Sequence, residues 1–276
     1  MKSLLSKTHL LKSGAEAIYH KLLQHKVKDV FLYSGGSIMP LVDQFHDKKI
    51  NYFINTHEQN CGHAATGYAK SSNNLGVVIS TSGPGITNLV TPMLDAQTDG
   101  VPLLVLSGQV GTDFMGTGAF QEAPACEITR PFTKLSYCIK DSSQIPHMMD
   151  HAIELANEGR PGVVHLDLPK NVLVDKFYMK DKSLEVQNLG NTSTEFLSSL
   201  GKIAEVINKS EKPIFFLGKG CHESIEKIVD KTRIPFTTTI HGKGIITEDH
   251  PSSLEWCGMH GSAAANIALQ SADCII

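Results

Sequence analysis

The sequence lacks the features that would commit it to a membrane, a nucleic acid or an oxidising compartment. No stretch approaches the ~18 consecutive apolar residues of a membrane-spanning helix. Residues 1–11 hold two lysines and some leucines but no apolar core of signal-peptide length. Organised sequence begins near Lys12, leaving little room for a transit peptide. Long basic runs are absent, and Lys+Arg 25 against Asp+Glu 28 gives a net charge of -3, which argues against electrostatically driven binding to nucleic acid or a membrane surface. The six cysteines contain no C-x-x-C pair, so neither a zinc ribbon nor a disulfide framework is suggested. These absences predict a cytoplasmic protein whose partner is a small molecule.

Several catalytic signatures are missing as well. G-x-S-x-G and G-x-G-x-x-G do not occur, and no Gly-Lys-Ser/Thr follows the glycine-rich turn after residue 80. The stretch His57-Glu58-Gln59-Asn60-Cys61 has cysteine where a zinc-protease helix needs its second histidine. No metal ligand set is therefore assigned.

What is present is an ordinary globular composition, 41% hydrophobic and 19% charged over 276 residues, enough for one large or two ordinary domains. Apolar positions at helical spacing over residues 13–27 precede the short apolar run Val30-Phe31-Leu32-Tyr33, which enters Ser34-Gly35-Gly36. The same order recurs. Tyr52-Phe53-Ile54 leads into a helix, Gly76 to Ser80 enters Thr81-Ser82-Gly83-Pro84-Gly85, and Pro102 to Leu106 enters Ser107-Gly108-Gln109. A further strand runs from Gly162 to Asp167 and is ended by Pro169. Apolar β-rich runs without alternation, interleaved with helices, predict an α/β fold with a parallel sheet covered on both faces.

Polar composition over residues 176–194 predicts a linker between a domain at 1–175 and a second at 195–276. The second unit reads as a helix over 195–207, a strand Ile214-Phe215-Phe216-Leu217, the turn Gly218-Lys219-Gly220, a helix through Ile225 and Val229, a strand at Phe236-Thr237-Thr238 and a helix over 262–271. The apolar ending Asp273-Cys274-Ile275-Ile276 reads as the start of a strand, and hence as premature.

Two segments bear on chemistry. Glu58 directly follows a strand, where open α/β sheets place their ligand crevice, yet a helix-N-terminal acid is also favoured by the macrodipole alone. Residues 81–88 join a strand to a helix. Their amides suit an anion or a heteroaromatic ring, or make only a tight turn.

Taken together, Tyr33-Ser34-Gly35-Gly36, His57-Glu58-Gln59, Ala65-Thr66-Gly67-Tyr68-Ala69, Thr81 to Asn88, Gly108-Gln109-Val110, Ala119-Phe120-Gln121-Glu122, Thr133-Lys134 and Gly159 to Lys170 resemble the N-terminal half of thiamine-diphosphate enzymes of the acetolactate synthase family. The resemblance implies a pyrimidine-binding domain followed by an incomplete Rossmann-like central domain. It implies that Glu58 hydrogen-bonds N1′ of the cofactor's aminopyrimidine, with Gln121 as a second catalytic residue. Tyr33, Gly35, Pro84 and Asn88 fall where the family wraps thiamine diphosphate, and Gly36, Phe120 and Lys170 where it lines the substrate pocket. Gly218, Gly220, Thr239, Met259, His260 and Gly261, with Arg160 from the first domain, match segments that hold FAD, or that pack in a cofactor-free relative.

The implied activity is decarboxylation of pyruvate and ligation of the two-carbon unit to a second 2-keto acid. Gly-Asp-Gly, which in that family holds Mg2+ and the diphosphate, is absent, so those ligands are expected outside this chain. The implied assembly is a homodimer or higher oligomer, or a pairing with a separate chain carrying the diphosphate domain. Ser34, Gly111, Asp113, Gly118 and Leu135 depart from the family pattern near the pocket. They keep a 2-hydroxyacyl-CoA lyase or another 2-keto acid decarboxylase as alternatives, beside a non-catalytic truncated homologue.

Overall fold

The structure, a computed structural model, describes residues 9–46, 49–180 and 194–276. The chain divides into two compact units, with described residues 9–180 in the first and 194–276 in the second.

In the first unit, strands β1 (His9–Ser13), β2 (Asp29–Leu32), β3 (Asn51–Ile54), β4 (Gly76–Ser80), β5 (Leu103–Gln109), β6 (Leu135–Cys138), β7 (Val163–Pro169) and β8 (Lys176–Lys180) form two sheets. Six of them lie in the order β3-β2-β4-β5-β7-β6, every pairing parallel. Every residue of β4, β5 and β7 is buried, as runs such as Val77-Val78-Ile79 and Leu103-Leu104-Val105-Leu106 require. Two hydrophobic clusters cover the two faces. One holds Ile18, Leu22, Ile79, Leu104 and Leu166, the other Cys61, Ala65, Val78, Met93 and Val105. Alternate residues of a strand point to opposite faces, so the apolar runs serve both clusters at once.

The sheet order reverses at β2. The chain runs from β2 outward to β3 and then returns to the other side of β2 as β4. Such a reversal opens a crevice beyond the carboxyl ends of the two diverging strands, because their following loops leave in opposite directions.

Helix Gly14–Gln24 begins with a capping box. Ser13 Oγ accepts from the Glu16 amide at 3.2 Å, and the Ser13 amide donates to Glu16 Oε2 at 2.7 Å. It ends at Gln24 rather than Val27, because Lys26 turns to φ +60.

Two expectations are corrected. Residues 176–180 are not linker but strand β8, paired antiparallel with β1 from Ser13↔Lys176 to His9↔Lys180. This short strand, with Lys176 and Tyr178 exposed, adjoins the polar stretch that follows it in sequence and so read as loop. Residues 1–8 and 181–193, on which the opening-segment and remaining linker expectations fall, lie outside the described residues. Strand β3 is not buried on both faces. It pairs only with β2, and Tyr52, Phe53 and Ile54 are 40%, 48% and 62% exposed. Phe53 stacks on Phe31 at 5.3 Å, which covers part of one face.

The second unit is a four-stranded parallel sheet, β9 (Pro213–Leu217), β10 (Phe236–Thr238), β11 (Ser253–Trp256) and β12 (Cys274–Ile275), in the order β11-β10-β9-β12. Helices Thr194–Lys209, Ile225–Thr232 and Ala263–Ser271 accompany it. Its hydrophobic cluster is small, Phe215, Leu217, Val229, Phe236 and Ile246, with Ile214 and Ala265 buried as well.

Candidate functional site

The crevice at the β2/β4 reversal is floored by backbone that only small residues permit. A methyl group on Gly35 would lie 2.4 Å from Thr81 Cβ, so the loop after β2 and the turn after β4 touch directly. Ser37 Oγ bonds Thr81 Oγ1 at 2.9 Å and accepts from the Ser82 amide at 3.0 Å, tying the same two segments together. Gly83 adopts φ +58, a conformation that L side chains resist, and precedes Pro84 at the start of the short helix Pro84–Thr87.

Into this crevice projects Glu58, the first residue of helix Glu58–Ser72 and only 7% exposed. His57 caps the helix, its Nδ1 accepting from the Gln59 amide at 3.1 Å, which leaves Glu58 free of capping work. Asn88 Nδ2 donates to Glu58 Oε2 at 2.9 Å. Glu58 Oε1 lies 3.6 Å from where a methyl on Gly85 would sit. One carboxylate oxygen is thus engaged and the other faces the glycine turn. The surrounding burial strengthens any hydrogen bond that the second oxygen makes.

Of the expected residues, Gly35, Glu58, Pro84 and Asn88 come together here. Tyr33, 39% exposed, immediately precedes the Gly35 loop, and its amide donates to Ile79 O at 3.1 Å. Gly36 has no atom within 4 Å of a methyl position, leaving open space beside the crevice. Gln121 adjoins it through the backbone. It takes φ +60, and a methyl on Gly83 would lie 2.7 Å from its carbonyl oxygen. Phe120, next to it, is 89% exposed. Lys170 is exposed at the start of helix Lys170–Val174, beyond the carboxyl end of β7 and on the same edge of the sheet.

Arg160 is not in this crevice. It precedes β7, at the opposite edge of the sheet, where its guanidinium donates to the carbonyls of Gln97 and Thr98 at the end of helix Val90–Thr98. In the second unit, Gly218 and Gly220 follow β9, Thr239 follows β10, and Met259, His260 and Gly261 follow β11. These three strands are adjacent, so the candidate FAD residues share the carboxyl edge of one sheet. Gly218 and Gly220 have no atom within 4 Å of a methyl position, and Met259 is 94% exposed. Asn266 holds the last turn, its Oδ1 accepting from the Gly258 amide at 2.9 Å and its Nδ2 donating to Gly258 O at 3.0 Å.

A buried polar cluster escaped the sequence reading. Ser107 on β5 donates to Asp167 Oδ1 at 2.6 Å and bonds His165 Nε2 at 2.8 Å, both residues lying on β7. With its single proton committed to Asp167, Ser107 accepts from Nε2–H. His165 Nδ1 is then the acceptor facing Thr129 and Ser136 at 2.9 Å each. Burial pulls this imidazole down to about 3 and pushes the Asp167 carboxyl up to about 6. Beside Asp167 opens a cavity of about 430 Å3 that also reaches Cys126 and Cys138. Burial raises those thiols to about 11 and about 12, which keeps them protonated. Alternating Ser, His and Asp inside apolar strands were the signal, hidden because His165 and Asp167 fall within a run that also reads as core. Among the described residues no cluster of three or more His, Cys, Asp or Glu is disposed to hold a metal, and no helix is long and apolar enough to cross a membrane.

The first unit is thus an open parallel α/β sheet with a buried carboxylate and glycine turns at its point of strand reversal, a class of site suited to a polar heteroaromatic ring. Comparison with known proteins narrows this. Residues 12–128 match the family model described as thiamine pyrophosphate enzyme, N-terminal TPP binding domain, and residues 200–276 match thiamine pyrophosphate enzyme, central domain. The chain belongs to the thiamine pyrophosphate enzyme family and is similar to the N-terminal part of acetolactate synthase large subunits. It is 40% identical to the mitochondrial acetolactate synthase catalytic subunit of Saccharomyces cerevisiae, over 96% of this chain and 41% of that protein. Against the acetolactate synthase large subunit of Cyanidium caldarium it is 38% identical, over 98% of this chain and 48% of that protein. Against that of Lactococcus lactis it is 40% identical, over 96% and 47%. The chain therefore spans somewhat less than half the length of these relatives.

Proposed function

We propose that this chain forms the N-terminal portion of an acetolactate synthase-like enzyme, which decarboxylates pyruvate on thiamine diphosphate and ligates the two-carbon unit to a second 2-keto acid. The observation that carries the reading is Glu58, buried at the β2/β4 reversal with one oxygen held by Asn88 and the other facing the Gly83-Pro84-Gly85 turn. The donor set fits an aminopyrimidine. A carboxyl in a dry crevice shares a proton with a ring nitrogen, and glycines at 35, 83 and 85 let the backbone approach a flat ring. Bound there, the cofactor supplies the carbanion chemistry that the protein's own side chains lack.

The chain's residues then have separable tasks. Glu58 holds and returns a proton at the pyrimidine N1′, and Asn88 fixes the orientation of its carboxylate. Tyr33, Gly35 and Pro84 bound the ring. The open space at Gly36, with Phe120, Gln121 and Lys170 beyond it, receives the 2-keto acid. The diphosphate and its Mg2+ are assigned to ligands outside these residues, in the remaining length that the relatives carry or on a second polypeptide. The clustered loops after β9, β10 and β11 support FAD as a ligand of the second unit, with Gly218, Gly220, Thr239, Met259, His260 and Gly261 facing it. The bonds of Arg160 to Gln97 and Thr98 give that residue a structural task in the first unit.

Acetolactate formation from pyruvate, measured with thiamine diphosphate and Mg2+ on the protein as its source cells make it, tests the reading. Glu58→Gln keeps the size and the Asn88 contact but loses the proton exchange, and is expected to lower kcat by about a hundredfold or more. Turnover undiminished by Glu58→Gln overturns it.

A further inference from the structure

The loop carrying Phe120 and Gln121 is shaped by one carboxylate and anchored by a glutamine. Glu122 closes the loop on itself by accepting from the amides of Gly116, Gly118 at 2.9 Å and Ala119 at 3.2 Å. That closure sets the loop's internal shape but does not fix it to the sheet. Gln109, the last residue of β5 and 2% exposed, reaches across to do so. Its Nε2 donates to Ala123 O at 2.9 Å and to Asp167 Oδ2 at 2.9 Å, and its Oε1 accepts from the Val110 amide at 2.9 Å. Both amide protons and the carbonyl oxygen are used. Flipping the amide would point its oxygen at a carbonyl and a carboxylate, so only one orientation is satisfied. Asp167 is itself held by Ser107, which the neutral His165 orients.

We infer that Gln109 is a positioning residue, a clamp that fixes the loop of Phe120 and Gln121 to the central strands and so seats Gln121 against Gly83 of the crevice turn. The seating is tight, since Gln121 stands at φ +60 with its carbonyl oxygen 2.7 Å from where a methyl on Gly83 would be. Asp167 serves as the buried acceptor that stops the Gln109 amide from rotating. The inference rests on the reading of Phe120 and Gln121 as substrate-pocket residues.

Hydrogen exchange of the full chain, followed peptide by peptide, tests the clamp without any turnover. Gln109→Met keeps the volume and removes the bonds. It is expected to speed exchange of the amides over residues 114–122 about tenfold or more, the cost of losing a hydrogen bond to a charged group. Exchange in β4, β5 and β7 should stay within about twofold of wild type. Gln109→Asn, which keeps the amide but is a methylene too short to span Ala123 and Asp167, is expected to give the same pattern and serves if the Met variant folds poorly. Asp167→Asn retains an acceptor oxygen for Gln109 and is expected to keep the loop protected. An unchanged loop, or equal loosening of β5 and β7, overturns the clamp. In the acetolactate assay, Gln109→Met is expected to raise the pyruvate KM about tenfold, with the thiamine diphosphate half-saturation concentration unchanged. A loosened loop with an unchanged pyruvate KM overturns the pocket reading instead, so the two failures are distinguishable.

Discussion

The two units are built on the same plan and packed to different depths. In the first, three adjacent strands are buried along their whole length, and the crevice residues are held by side-chain bonds at 2.9 to 3.0 Å. In the second, the hydrophobic cluster among the described residues holds five buried residues, Phe216 of β9 is 39% exposed and Ile275 of β12 is 56% exposed. A six-stranded sheet has interior strands with cover on both faces, whereas a four-stranded one has two edges and few interior positions. The contrast teaches where chemistry is affordable. The Glu58 carboxyl and a neutral His165 are held only where surrounding strands already exclude most water. Gly218 and Gly220 of the second unit, by contrast, stand in open space.

Core truncation should separate the units most strongly. Leu106→Ala on β5, fully buried, is expected to lower the stability of the first unit by ~2–5 kcal/mol, whereas Phe216→Ala in the second should cost less than about 1.5 kcal/mol. Trp256 is the chain's one tryptophan and lies in the second unit, so its emission follows that unit during denaturation while far-ultraviolet dichroism follows both. Equal costs at the two positions would break the comparison.

Acid titration should sharpen it next, because the buried pair sits in the first unit alone. His165 has its folded value depressed to about 3 from 6.5, so its contribution is present above pH 6.5 and is lost as pH falls toward 3. Asp167 has its folded value raised to about 6 from 3.8, so its contribution is full below pH 3.8 and is lost as pH rises through 6. Between about pH 4 and 6 the two oppose each other, and the native and unfolded states bind nearly the same number of protons at this pair. Asp167→Asn removes one side. Stability of the first unit is then expected to fall with acidification below pH 6.5 by up to ~1.4 kcal/mol per pH unit more than in wild type, read from urea midpoints across that range. A wild-type-like profile would show that the pair does not titrate as its burial requires.

Glycine substitutions should give the smallest differences and test the crevice directly. Gly35→Ala drives a methyl to within 2.4 Å of Thr81 Cβ and is expected to cost ~1–3 kcal/mol and to displace the turn that faces Glu58. Gly218→Ala meets nothing within 4 Å and is expected to change stability by less than about 0.5 kcal/mol. Thermal melts of the two variants read the difference.

Much of the fold was legible because strand interiors announce themselves as unbroken apolar runs. Gly76 to Ser80 is β4 residue for residue, and Phe236 to Thr238 is β10. Glycine marked the turn after β4, where residue 83 combines φ +58 with ψ -114, a backbone conformation that L side chains resist. Strands β1, β6, β8 and β11 were not legible. They lie at sheet edges or in the ribbon, where half-exposed positions take polar residues and the apolar signal is diluted. Of the crevice, the family motifs carried Glu58, Gly35, Pro84 and Asn88. The Gln109–Asp167 contact, spanning 58 positions, left no local pattern to read.

The sequence by itself therefore determined the buried interior strands, the glycine turns after β2 and β4 and that Glu58 opens a helix, because each depends on neighbours within a few residues. Only the tertiary structure decided that β4 returns to the far side of β2, that Asn88 reaches Glu58, and that His165 and Asp167 share one dry cluster. Those facts depend on which strands lie side by side, and that order is set by burial summed over the whole sheet.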